Sequence, residues 1–164
     1  MSHVNWMEVG TAFAAGIVFM VILIKLGMKK ILMPVVVSPF DFDTTVEKLK
    51  KNIAAEGWTV PKIHDYQNIC ISSGGNDIGR MQVIELCAAK WASELLINEN
   101  VKRLSVMLPC AFSVYQNKDG KVRVATMNNA LISKVMGGFV KTIMGPASAE
   151  EKRMVARLFE GSGK

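Results

Sequence analysis

Histidine is nearly absent from this chain, with only His3 and His64 in 164 residues. A site built on several imidazoles is therefore excluded. Cysteine is scarce and odd in number, Cys70, Cys87 and Cys110, so disulfide staples cannot be what holds the fold together and apolar packing must do so. There is no Cys-x-x-Cys pair, no haem-attachment motif, no nucleophile-elbow pattern, no internal repeat and no low-complexity tract. The length excludes a large multi-domain enzyme and allows one ordinary domain with an appendage. Polar residues are also in short supply: half of the chain is hydrophobic and its mean hydropathy is +0.24, high for a freely soluble protein.

The apolar excess concentrates near the amino terminus. Residues 9 to 24 carry no charge, and Leu26 extends the run beyond Lys25. As a helix, residues 4 to 26 measure about 34 Å at roughly 1.5 Å per residue, against a hydrocarbon core of about 30 Å. Trp6 stands where an interfacial aromatic belongs, and Lys25 can extend its ammonium to the head groups. A cleaved signal peptide needs a basic start and a small-residue cleavage site. Here the start carries Glu8 and no Lys or Arg, and the run exits into Lys25, Gly27, Met28, Lys29 and Lys30. The expectation is a single-pass anchor in the inner membrane within residues 1–34, with membrane lipid as its partner. Because Lys25, Lys29 and Lys30 follow the span and no basic residue precedes it, residues 35–164 are expected in the cytoplasm.

Beyond Pro34 the pattern predicts an α+β domain, an antiparallel sheet with helices on one face. Residues 35–37 read as a short strand. Thr44 and Glu47 match a capping box, Val46, Leu49 and Ile53 fall at helical spacing, and Gly57 stands where a left-handed residue ends a helix. Residues 58–63 and 66–72 read as strands joined by a turn at His64 and Asp65. A glycine-rich connection then leads into a strand over 81–87; a phosphate-cradling loop would enter a helix instead. A helix over 88–97 follows, then strands over 103–115 and 121–127 joined by a turn at 117–120. The apolar stripe over 131–144, interrupted by Gly137 and Gly138, reads as a core helix or a broken pair. Ser148 and Glu151 repeat the capping-box spacing before a last short helix. The cluster Lys48, Lys50 and Lys51 lacks interleaved aromatics, so no nucleic-acid partner is expected.

Chemistry, where the residues offer any, centres on two cysteines. Alternation in the strand over 81–87 puts Glu85 and Cys87 on one face, with Cys87 beside a helix start, a setting that activates thiols. Alternation over 103–115 groups Leu104, Val106, Leu108, Cys110, Phe112 and Val114, placing Cys110 among apolar neighbours. One reading makes all three cysteines small buried hydrophobes. The sharper one pairs Cys87 with Cys110 for redox or sulfur transfer, with His64 and Glu85 as further ligand candidates. No spacing suggests a metal site, and no motif names a cofactor.

Between about residues 38 and 138 the chain resembles the bacterial and archaeal family called domain of unknown function 302. The resemblance rests on Gly57-Trp58-Thr59-Val60-Pro61 with Ile63-His64-Asp65, then Ile84-Glu85-Leu86-Cys87, then Leu108-Pro109-Cys110 running into Ser113-Val114-Tyr115. Asp119-Gly120-Lys121-Val122 and Met127-Asn128 complete it. It implies a fold like that of TATA-binding-protein-type domains, implies a dimer, and implies no activity. The family usually has Asn-Pro after its first cysteine and Arg after Pro-Cys; this chain has Ala88-Ala89 and Ala111. The reading is a membrane-anchored, noncatalytic module that binds a partner protein or small ligand on the cytoplasmic face, as a homodimer or a subunit of a membrane complex. The alternative is a thiol redox or sulfur-transfer protein using Cys87 and Cys110.

Overall fold

A computed structural model describes residues 6 to 160, and the chain divides into two units, Met1–Leu32 and Met33–Lys164. The first contains one helix, α1 (Trp6–Leu32). Ile17, Val18, Phe19, Met20 and Val21 are all exposed, and five consecutive positions pass through more than a full helical turn, so this stretch has no polar face. Among the described residues no helix is long and apolar enough to cross a membrane. The expected transmembrane helix is thus not a result of the structure: a helix forms, but the side chains of Trp6, Ile22, Leu23, Lys25, Leu26 and Lys29, which the expected span and its flanks include, lie outside the described ones. Lys30 is described, and it is exposed.

The second unit is built on a five-stranded antiparallel sheet. Its strands are β1 (Val35–Val37), β2 (Ile63–Asp65), β3 (Met81–Leu86), β4 (Cys110–Gln116) and β5 (Val122–Ala125), in the order β1-β5-β4-β3-β2. Period-two alternation sends Ile84, Leu86, Phe112, Val114, Val122 and Val124 to one face, where all six are buried. Against them pack Phe42, Val46, Leu49 and Ile53 of helix α2 (Phe42–Ala55) and Met154 of helix α6 (Gly138–Ala156). The spacing of those four α2 residues places them on one stripe, and each buried side chain of this size contributes about 1.5–3 kcal/mol. Glu56 fastens the end of α2 to α6 through Arg153 Nη2 at 2.6 Å and Arg157 Nη2 at 2.6 Å.

Several expected elements move. The cap of α2 is Asp41 rather than Thr44, since its carboxylate accepts the Thr44 N–H at 2.9 Å and the Thr44 hydroxyl at 2.7 Å. Gly57 does end that helix, at φ 77°. The strand expected over 58–63 shrinks to a bridge between Thr59 and Cys87, and His64 and Asp65, expected in a turn, lie in β2. Residues 66–72 form a helix, α3 (Tyr66–Ser72), because Asp65 caps it by accepting the Asn68 N–H at 3.0 Å. None of its residues is buried, so its β-branched pattern never meets a sheet.

Helix α4 (Ala89–Leu96) lies where expected. The long strand expected over 103–115 splits into a 3₁₀ segment (Glu99–Met107), capped by the Asn98 side chain, and β4. Leu104 therefore joins a second cluster with Leu95, Val140 and Met144, while Val106 is 87% exposed. Helix α5 (Asn129–Met136) is separated from α6 at Gly137, whose φ of 63° favours glycine. No helix starts at Ser148. Its hydroxyl donates to the Gly145 carbonyl inside α6, and both Ser148 and Glu151 are buried.

These caps carry a paired expectation. Asp41→Ala removes two acceptor contacts and should cost about 1 kcal/mol, whereas Ala88, the extended N-cap of α4, has no side-chain cap bond and Ala88→Ser should gain about 1 kcal/mol. Urea unfolding of both variants, read by circular dichroism, checks the opposite signs.

Candidate functional site

The register of the central strands divides the candidate residues between two places. Leu86 pairs with Cys110 and Ile84 with Phe112, so Cys110 shares the inner face with the core. The alternate residues point the other way. There His64 of β2 reaches Glu85 of β3, Nε2 to Oε1 at 2.6 Å, both half-buried, with the Tyr66 ring centroid 6.1 Å from that of His64. Two of the residues singled out in the sequence, His64 and Glu85, are thus brought together as a pair. Cys87 exchanges backbone hydrogen bonds with Thr59 and, with Cys110, lines a cavity of about 40 Å³ beneath α4 and α6. Cys70 lies on α3 and contributes nothing to that cavity.

The cavity wall is mostly apolar, with Leu86, Leu95, Pro109 and Ile143 among its residues. Its polar end is compact. The Asn129 amide nitrogen donates to both oxygens of Glu151, at 3.1 and 2.9 Å, and approaches Cys110 Sγ at 3.6 Å. The Glu151 carboxyl lies close enough to the Cys110 thiol for the two to act on each other's titration. Burial pushes this thiol far above the ordinary range, and the Glu151 charge and Cys87 push it the same way. Burial also raises the Glu151 carboxyl, opposed by its hydrogen bonds from Cys110 and Asn129. Cys110 is therefore a protonated thiol at rest rather than a nucleophile.

Two indoles belong to the cavity wall. Trp58 and Trp91 both line it, and both donate to one oxygen of Glu150, at 2.6 and 2.9 Å. On the other side of Asn129, Ser148 and Glu151 lies a groove of about 300 Å³, walled by Pro34, Thr126, Met127, Ala130 and Lys152. Those three residues border both spaces.

Asn129, Glu150, Glu151, Trp58 and Trp91 were not among the residues the sequence singled out as a site. One signal was available: Val140, Met144, Ser148, Glu151 and Leu158 follow helical spacing, so a hydroxyl and a carboxyl occupy an otherwise apolar stripe. Among the described residues no group of three or more His, Cys, Asp or Glu comes together to hold a metal ion.

The family model for domain of unknown function DUF302 matches residues 35–158. The chain belongs to this family. A solved DUF302 protein from Bacillus stearothermophilus, described as an uncharacterized conserved protein, is similar at 21% identity and a TM-score of 0.65, covering 77% of this chain and 95% of that one. That likeness concerns the fold. Comparison with curated proteins returned no match. Within this DUF302 domain, Ala111 is exposed on β4 and Ala88 leaves α4 without a side-chain cap.

Two outcomes are expected. Because the folded Glu151 carboxyl titrates above its unfolded value, the folded state binds more protons from about pH 4.5 upward, and stability falls as pH rises through that window. Glu151→Gln should remove this slope, so its deficit relative to wild type shrinks from mildly acidic to neutral pH in urea unfolding. Native Cys110 should react with iodoacetamide more than about tenfold slower than a free thiol, and recover on unfolding. Peptide mapping after timed labelling measures it.

Proposed function

We propose that this protein is a membrane-tethered, noncatalytic module whose second unit binds a small ligand between Cys110, Asn129 and Glu151, on the cytoplasmic face. The observation that carries the reading is a buried carboxyl, amide and thiol converging at one end of an apolar cavity lined by two indoles. Small-molecule sites combine an apolar wall with a few placed polar groups in this way. At about 40 Å³ the space admits only a few atoms, so a larger ligand must displace the indoles or enter from the groove.

The tether rests on the uncharged run over residues 9 to 24, on the exposure of Phe13 at 72% and Phe19 at 63%, and on Lys25, Lys29 and Lys30 after the run. The antiparallel sheet with α2 and α6 on its inner face is in keeping with a TATA-binding-protein-like fold; a homodimer is what the family resemblance implies. A second reading, thiol redox or sulfur transfer, draws on Cys87 and Cys110 lining one cavity. The protonated state of Cys110 weighs against it.

Native mass spectrometry of the full chain from mild detergent tests the binding function. Wild type should carry a small molecule that is lost on denaturation and absent from Ala147→Phe, which fills the cavity; a wild type whose native mass equals its denatured mass, or an added mass that Ala147→Phe retains, would contradict it. For the tether, alkaline carbonate should leave the full chain in the membrane fraction and release Val18→Arg/Phe19→Arg. Release of the wild type would remove the anchor.

A further inference from the structure

Three consecutive residues of α6 meet three different surroundings. Glu150 accepts both indole N–H groups, Glu151 accepts the Asn129 amide beside the Cys110 thiol, and Lys152 faces the groove. Asn129, Ser148 and Glu151 stand as a thin partition between the apolar cavity and that groove. We propose that the two spaces form one site for an organic anion with a short apolar tail, its head group beside Lys152 and Asn129 and its tail directed across the partition toward Trp58 and Leu95. This rests on the ligand-binding reading above and specifies its ligand class.

Charge and hydrogen-bond capacity select the anion. Among the described residues Lys152 forms no ion pair, whereas the other lysine of the α6 surface, Lys141, lies elsewhere and lines neither space. A cationic head would have to pair with Glu151, whose carboxyl burial pushes toward the neutral form and whose two oxygens are already held by the Asn129 amide. A carboxylate in the groove, in contrast, can take the Asn129 amide from one Glu151 oxygen and pair with the Lys152 ammonium. The tail then loses water against a wall that is almost wholly apolar. Length is limited by the narrow inner space, which excludes long acyl chains unless the two indoles leave Glu150.

The test uses the full chain in detergent with Trp6→Phe, so that Trp58 and Trp91 report. Hexanoate, 1-hexanol and hexylamine are titrated at constant ionic strength. Hexanoate should change the indole emission saturably, with 1-hexanol and hexylamine at least about tenfold weaker, the loss of one charge-assisted contact. Lys152→Ala should reduce hexanoate to the level of 1-hexanol while leaving 1-hexanol unchanged. Ala147→Phe should abolish all binding; Ala92→Leu serves in its place if near-UV circular dichroism shows that the first variant is unfolded. Equal affinity for hexanoate and 1-hexanol, tighter hexylamine, or an unaltered Lys152→Ala would overturn the anion assignment and leave the cavity standing. Binding that survives both cavity-filling variants would overturn the site itself, as would no saturable response to any of the three probes.

Discussion

A buried carboxyl is costly unless its oxygens are satisfied, and Glu151 imposes that constraint on the whole second unit. Its two oxygens are met by the Asn129 amide of α5, and the Cys110 thiol of β4 stands beside them. Successive residues of a helix diverge by about 100°, so the preceding Glu150 turns to another neighbour and takes the indoles of Trp58 and Trp91. One short stretch of α6 is thereby bonded to the segment after α2, to α4, to α5 and to the sheet. Arg153 and Arg157, a turn or two further on, add the contact with Glu56 at the end of α2. Losing Glu151 alone would leave the amide and the thiol facing an apolar wall, which is why the polar contacts and the cavity form together.

How much of this was legible in the sequence depends on whether the signal was local. The alternating strand over Met81–Leu86, the turn before Val122 and the glycine at 57 are local patterns, and each falls where the residues suggested. Ile69 and Ile71 misled because a β-branched run can sit on an exposed helix once Asp65 supplies the cap. The run from Leu104 to Tyr115 misled because its first half is a 3₁₀ segment in a different cluster, which alternation cannot detect. Ser148 and Glu151 matched a capping box by spacing, yet the helix had begun ten residues earlier at Gly138. For the site, Cys110 and Cys87 were visible as residue types. Their polar neighbours come from α5 and α6, and only the tertiary fold brings those to β4.

The two faces of the sheet now have distinct chemistry. The inner face holds the core and the apolar cavity, whereas the outer face carries the half-buried His64–Glu85 pair at 2.6 Å. A strand's period of two separates Glu85 from Leu86 and Cys110, so the imidazole and the thiol cannot serve one reacting centre through side-chain contact. That separation favours a binding role for the inner site over a Cys–His nucleophile.

Infrared spectroscopy of the S–H stretch, a region free of other protein bands, tests the central claim most directly. The account predicts one S–H band displaced to low frequency by bonding to the Glu151 carboxyl, absent in Cys110→Ala and returned toward the free-thiol position in Glu151→Leu. Three undisplaced S–H bands in the wild type, or a displaced band that survives Glu151→Leu, would contradict it.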